Sequence, residues 1–335
     1  MSEHSQHMEH DRGSWGSNFG FLMAAVGSAV GLGNIWGFPY KMGSNGGFAF
    51  LVIYLLLVIF VGVVVMLGEL SIGRKTGLGA VGAYAKLGKK YKWIGLLGIL
   101  AAFCLLAFYN VLGGLVMRYM FGFILQILDV DGFAGQSGNF FGYILHDYSG
   151  MVFFHVLFIV CNVVIVMGGI QGGIEKFCTV AMPALFFMLL FVIIYVAFQP
   201  GAGEGYAFML TPNLKPISTF SGFLKVLKTA AGQMFFSLSL GMGAIISYGS
   251  YLDKKENLQK NALIIPACDT LIAVMAACAV LPACAAFGME YNQGPGLLFN
   301  TMLIVFLSIG SFGSFVGFVF YFLGFIAAVS LSISL

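Results

Sequence analysis

Charge is what this chain has least of. Lys, Arg, Asp and Glu make up 9% of its 335 residues, where a water-soluble domain carries about a quarter, so a soluble domain is excluded. The charges that exist balance to +3 and form no basic stripe, which leaves nothing for a nucleic acid to bind. Cysteine is sparse and unpatterned. Cys104, Cys161, Cys178, Cys268, Cys278 and Cys284 all lie in apolar runs and none makes a CxxC pair, so they read as small buried hydrophobes rather than a metal site or disulfide framework. No catalytic triad, phosphate-binding loop or metal-ligand spacing occurs, and the chain is not read as an enzyme. The N-terminus has no cleavable signal pattern. His4, His7 and His10 there read as part of a solvated tail, residues 1–14, and not as a metal site.

Apolar sequence is what the chain has in excess. It is 60% hydrophobic, with 35 Phe and 46 Gly, and its mean hydropathy is +0.96. Small residues let membrane helices approach closely. A span needs about 20 apolar residues, and eight segments qualify: 16–40, 47–72, 92–126, 150–169, 175–198, 219–250, 261–288 and 311–335. The third is long enough to run tilted. The stretches 129–149 and 199–218 read as exposed loops. The stretch 289–310 is partly apolar, but Gly294-Pro295-Gly296 breaks it, and it reads as a hairpin-like outer loop, not a span. With the N-terminus inside, the inner face holds Arg12, the basic residues from Arg74 to Lys92, Lys176, Lys254, Lys255 and Lys260, while only Lys41, Lys215, Lys225 and Lys228 lie outside. This bias puts the N-terminus in the cytoplasm. The chain thus reads as an all-α, multi-pass protein of the cell inner (plasma) membrane, in contact with lipid.

Two of these segments are interrupted at their middles. The first reads Gly27-Ser28-Ala29-Val30-Gly31-Leu32-Gly33-Asn34, the sixth Ser237-Leu238-Ser239-Leu240-Gly241-Met242-Gly243-Ala244. Glycines in a span also suit helix packing, and a membrane serine often bonds its own i−4 carbonyl. Two breaks five segments apart are harder to explain that way. Irregular backbone at membrane depth is tolerated only where protein buries it or it lines a cavity. Freed carbonyls there coordinate a cation, and the N–H groups opening the following half-helix hold an anion. Asn34 adds a hard side-chain oxygen of the kind small cations prefer. Gln233 lies one turn before Ser237.

Breaks opening segments one and six predict a five-helix repeat whose second copy is inverted, five being odd. Residues 15–198 form the first repeat and 219–335 an incomplete second one, ending in the eighth helix. Apolar sequence up to Leu335 predicts a truncated chain; a natural eight-helix protein is the alternative.

The run from Trp15 to Gly47, with Ala29-Val30-Gly31-Leu32-Gly33-Asn34-Ile35-Trp36 and Phe38-Pro39-Tyr40, resembles the first helix of the neurotransmitter:sodium symporters, whose bacterial members include leucine and tryptophan transporters. Glu69 to Arg74, Gly172-Gly173-Ile174-Glu175-Lys176, and Gln233 to Tyr251 match as well. The resemblance implies a five-helix inverted-repeat transporter fold and sodium-coupled uptake of a hydrophobic or aromatic amino acid by alternating access.

It also implies two sodium sites. Site one takes the Ala29 carbonyl, Asn34, Ser237 and a residue of the seventh segment, where the family usually has Asn and this chain has Asp269. One turn on, at Ala273, some members place an acid and others a Ser that helps bind chloride. A buried intramembrane carboxylate is a functional candidate by default, so Asp269 is expected to supply the fixed negative charge and chloride to be unnecessary; a structural hydrogen bond is the plainer alternative. Site two takes the carbonyls of Gly27, Val30 and Ala327 with the Ser330 hydroxyl. Leu331 stands where a second hydroxyl is usual and cannot ligate sodium, so the site is weakened or rebuilt with Ser332.

The implied substrate pocket lies between the breaks. The amino acid's carboxylate meets N–H groups near Leu32 and Gly33, sodium, and the Tyr109 hydroxyl. Its ammonium meets carbonyls of Ala29, Phe236, Ser237 and Ser239. Its side chain meets Leu105, Phe236, Met242 and Leu335. Of the gates, Phe236 is an aromatic lid, Arg12 and Trp15 close the inner side, with Arg12 as a simple positive-inside anchor the alternative, and Tyr251 is an inner contact. Gly37 replaces the usual outer-gate Arg. Glu69 and Glu175 lie near cytoplasmic helix ends and read as structural groups that cap or pair locally, for example with Lys176. Arg118, inside the third segment, needs a carbonyl or acid partner. Two other readings compete: a non-transporting fragment, and an unrelated channel.

Overall fold

Both interrupted segments are broken where the glycines cluster. The computed structural model describes residues 15–253, 255–291 and 294–335, all helix and connecting loop with no strand among them. Arg12, the tail 1–14 with its histidines, and Lys254 lie outside the described residues.

The first segment is two helices, α1 (Asn18–Ala29) and α2 (Gly33–Ser44), bent by 53°. Ser17 starts α1 by accepting the Gly20 N–H at 2.9 Å, an N-cap. Val30, with extended backbone (φ −75°, ψ 107°), ends it. Helix α3 (Phe48–Thr76) follows and stops at Gly77 in the left-handed conformation, which glycine adopts without steric cost. A short helix α4 (Ala80–Leu87) leads into α5 (Lys89–Ile127). Its 39 residues make about 60 Å of helix, twice the hydrocarbon thickness, so it tilts or projects beyond the lipid.

Helix α6 (Phe140–His146) sits in the 129–149 loop, before α7 (Tyr148–Met167) and α8 (Ile170–Ala197). The loop 199–218 likewise holds a helix, α9 (Ala202–Leu210). The sixth segment is α10 (Phe220–Ser237) and α11 (Ala244–Ser250), separated by Leu238 to Gly243. Then come α12 (Leu258–Ala286), α13 (Leu297–Ser308) and α14 (Ser311–Ser332).

Among the described residues six helices are long and apolar enough to cross a membrane, seven with the bent pair. The sixth segment is carried instead by two shorter helices. The stretch 289–310 corrects the reading of a hairpin loop. Gly294-Pro295-Gly296 stands just before a helix, and α13 buries Leu298, Phe299, Met302, Leu303 and Phe306. At twelve residues it remains too short to span.

The layers follow from packing. α1 and α2 are enclosed by α8, α10, α12 and α14. α3 packs on α10, α11 and α12, and α5 lies along α14. α7 is the outlier: Val152, Phe153, Val156, Val160 and Val164 all face outward. α14 is the most enclosed span, and it runs beside the break in the first segment.

Candidate binding site at the two helix breaks

Unwinding frees backbone groups that membrane burial requires to be met, and here the two breaks meet part of each other's need. The Ser239 hydroxyl donates to the Ser28 carbonyl at 2.7 Å. Ser239 holds a left-handed conformation (φ 53°), as do Gly241 and Gly243 (φ 82° and 81°), which is costly for a residue with a Cβ. Gln233 donates to the Gly33 carbonyl at 3.1 Å. The Gly33 N–H donates to the Tyr109 hydroxyl at 3.1 Å. The Phe236 ring occupies the place that a Cβ on Gly33 would take, so no other residue fits at 33 unless that ring moves.

Asp269, fully buried on α12, joins both breaks. Asn34 donates to its Oδ1 at 2.7 Å and to its backbone carbonyl at 3.3 Å. The Ser237 hydroxyl reaches both carboxylate oxygens, at 3.0 and 2.8 Å. Three of the four residues expected at site one are thus in contact, and Ala29 is buried at the end of α1. No Lys or Arg among the described residues pairs with Asp269. Among the described residues the ion pair found is Arg118–Asp147, elsewhere in the protein.

The residues expected at site two are gathered too. Ser330 donates to the Ala327 carbonyl at 3.1 Å and the Val30 carbonyl at 3.3 Å. A Cβ on Gly27 would meet the Ser330 Cβ at 3.3 Å. Leu331 points at the same break, its Cδ2 2.8 Å from where a Gly31 Cβ would stand. Ser332 is buried, and its hydroxyl has no partner among the described residues.

The pocket residues divide. Tyr109 and Phe236 stand together, ring centroids 6.4 Å apart, beside Leu32 and Gly33, with Leu105 half-buried one turn before Tyr109. Met242 and Leu335 line a cavity of about 500 Å³ against Ala80, Ala102 and Leu106. Neither Tyr109 nor Phe236 lines that cavity.

Residues 12–130 and 144–333 match the model of the sodium:neurotransmitter symporter family. The chain belongs to that family. An uncharacterized sodium-dependent transporter of Haemophilus influenzae is 36% identical over 335 residues, covering 97% of this chain and 72% of the relative. The sodium-dependent transporter YhdH of Bacillus subtilis is also 36% identical, over 92% of this chain and 68% of its own length. Among solved structures, MhsT in complex with L-phenylalanine superposes with a TM-score of 0.85 at 38% identity, covering 96% of this chain and 72% of MhsT.

Several contacts of this symporter chain depart from expectation. Trp15 donates to the Tyr248 carbonyl at 3.3 Å, with the rings 5.2 Å apart, and Tyr248 bonds Ser334 at 2.8 Å. The contact seen for Trp15 is thus Tyr248, and Tyr251 is the residue that follows α11. Of its two expected local roles, Glu175 takes capping, and no ion pair with Lys176 is found among the described residues. Glu175 accepts the Gly16 N–H at 2.7 Å and the Ser17 hydroxyl at 3.1 Å, where the positive end of α1 favours a carboxylate. Glu69 is no mere helix-end group: it accepts the Gly241 N–H at 2.7 Å, inside the second break. Arg118 finds its acid in Asp147, at 2.6 Å. Sequence reasoning missed Lys41, which donates to Gln233 at 2.6 Å and lies 5.7 Å from the Phe236 ring. Its being the one charged residue of 33–44, just past the first apolar segment, was the available signal.

Proposed function

We propose that the chain is a sodium-coupled symporter of a hydrophobic or aromatic amino acid, working by alternating access with its N-terminus in the cytoplasm. Residues 15–198 act as the first repeat and 219–335 as an incomplete, inverted second one, after the tail 1–14. One observation carries the reading: a fully buried carboxylate, Asp269, ties both helix breaks, and the side chains that bond it, Asn34 and Ser237 among them, are neutral. An unpaired buried charge is costly, and a sodium ion taken between the Ala29 carbonyl, Asn34, Ser237 and Asp269 answers it. Asp269 provides the fixed negative charge, so chloride is not required. The Gly27, Val30 and Ala327 carbonyls with Ser330 form a weaker second sodium site.

The substrate's carboxylate sits by the Leu32 and Gly33 N–H groups and the Tyr109 hydroxyl, and its ammonium by the Ala29, Phe236, Ser237 and Ser239 carbonyls. Leu105, Phe236 and Met242 present an apolar lining to its side chain; MhsT, whose structure holds L-phenylalanine, supports that class. Trp15, with Arg12, closes the inner side, and Tyr251 serves as a further inner contact. Sodium and substrate bind together because each supplies ligands to the other, a coupling that is reciprocal. The helices of segments one, two, six and seven pack on one another and rock as a bundle against the remainder.

The test is a thermal-shift screen of the twenty amino acids with and without sodium, since a ligand that binds only the folded state raises its stability. Stabilisation by leucine, phenylalanine or tryptophan in sodium alone is expected. No sodium-dependent shift for any amino acid overturns the reading.

A further inference from the structure

We propose that Lys41 is a positioning residue that holds the Phe236 lid down over the break, in a place that a side chain at position 37 would otherwise fill. The proposal rests on the symporter reading for what the lid covers, but the latch itself is a matter of geometry.

Gly37 has no side chain, and the atom nearest to where its Cβ would stand is Gln233 Oε1, at 3.9 Å, with nothing else within 4 Å. The missing side chain thus leaves open space aimed at one oxygen. Lys41, one helical turn further along α2 and hence on the same face, sends its ammonium to that same oxygen, at 2.6 Å. The ammonium also lies 5.7 Å from the centre of the Phe236 ring, within range for cation–π attraction, which strengthens away from water.

Gln233 is fully buried and passes the contact on. Its amide donates to the Gly33 carbonyl at 3.1 Å, and the Gly33 N–H donates to Tyr109. Lys41, Gln233, Gly33 and Tyr109 thus make one line from the cation to the floor of the site, with the Phe236 ring pinned between Lys41 and Gly33. No carboxylate lies within 4 Å of the Lys41 ammonium among the described residues, so the charge is spent on an amide oxygen and a ring face. Removing it releases the ring without stranding a partner acid.

The experiment compares the purified full chain with Lys41→Met, Lys41→Gln, Lys41→Arg and the double variant Gly37→Arg with Lys41→Met. Dissociation of radiolabelled L-phenylalanine in saturating sodium is the first readout, because closure acts on the off-rate. Lys41→Met and Lys41→Gln are expected to speed release by about tenfold or more. Lys41→Arg is expected to stay within about threefold of the parent, and Gly37→Arg to restore slow release to Lys41→Met by approaching Gln233 from the vacant position. A group that serves only stability would not be rescued from position 37. Release within about twofold of the parent in both neutral variants overturns the proposal.

The second readout needs no ligand: the rate at which a thiol-specific reagent modifies Ser237→Cys, buried next to Phe236 in the chain, followed by mass spectrometry of that peptide. Faster labelling in the neutral variants supports the latch, and unchanged labelling overturns it. If the parent chain binds no amino acid in sodium, the symporter reading fails while the labelling still decides the latch. If Lys41→Met does not fold, Lys41→Gln and the double variant decide it.

Discussion

The Ser237 hydroxyl stands 2.8 Å from one carboxylate oxygen of Asp269, while Asn34 reaches the other at 2.7 Å. Ser237 ends α10 and Asn34 belongs to α2, so a single acid on α12 registers the two broken segments against each other. Asp269→Asn keeps the shape and leaves both neighbours a partner, but it removes the charge. The fold is expected to survive, with an unchanged size-exclusion profile. The sodium concentration for half-maximal amino-acid binding is expected to rise about tenfold, the equivalent of about 1.4 kcal/mol, and chloride is expected to become stimulatory. Sodium saturation curves that overlay those of the parent in chloride-free buffer would count decisively against a charged site one.

Leu331 packs against Gly31 beside Ser330, putting an apolar side chain where a second hydroxyl is expected. Leu331→Ser removes buried methyl groups, at a cost of about 2–3 kcal/mol, and the thermal midpoint falls. In exchange the Gly27, Val30 and Ala327 carbonyls gain another oxygen. Sodium activation of binding is expected to steepen, its midpoint moving to lower concentration. A variant that is merely less stable, with no change in the sodium curve, removes site two from the account.

What the sequence showed was local. Glycine clusters in apolar runs marked both breaks, and the structure puts left-handed backbone at Gly241 and Gly243 and extended backbone at Val30. The gathering of Asn34, Ser237 and Asp269 came from the family resemblance, since no periodicity links residues more than 200 positions apart. Long separation also hid Lys41–Gln233 and Glu69–Gly241, whose partners are 192 and 172 residues away. Gly294-Pro295-Gly296 misled for another reason: a breaker marks a boundary without saying on which side the helix lies, and α13 begins immediately after it.

Arg118 and Asp147 differ in enclosure, with side chains 11% and 25% exposed, and the asymmetry fixes the order of their mutants. Asp147→Ala strands the more buried guanidinium and is the costlier of the two. Arg118→Met leaves an acid that water and the Gly150 N–H still serve, and costs about 1 kcal/mol. The Gly150 N–H and the Arg118 guanidinium hold the Asp147 carboxyl below its ordinary value. A depressed acid contributes stability above its unfolded value, about 3.9, and loses it as pH falls through the lower folded one. Thermal midpoints of the parent and Asp147→Asn should therefore converge on acidification below about pH 4. A gap that persists at the lowest pH at which the protein stays folded assigns Asp147 a role in packing alone.

Glu69 takes up a backbone group that unwinding released. Its Oε1 accepts the Gly241 N–H at 2.7 Å, and Oε2 is buried with no partner among the described residues. Glu69→Ala leaves the Gly241 N–H unmet at membrane depth, a loss of about 1–3 kcal/mol, and frees the Leu238 to Gly243 segment that carries the proposed substrate contacts. Glu69→Gln keeps an acceptor for Gly241 and removes a buried charge. Glu69→Ala is therefore expected to lower both the thermal midpoint and sodium-dependent phenylalanine binding, while Glu69→Gln holds the midpoint at or above that of the parent. Differential scanning fluorimetry of the three proteins side by side checks this. Equal loss in Ala and Gln would mean that the negative charge, rather than the hydrogen bond to Gly241, is what the break requires.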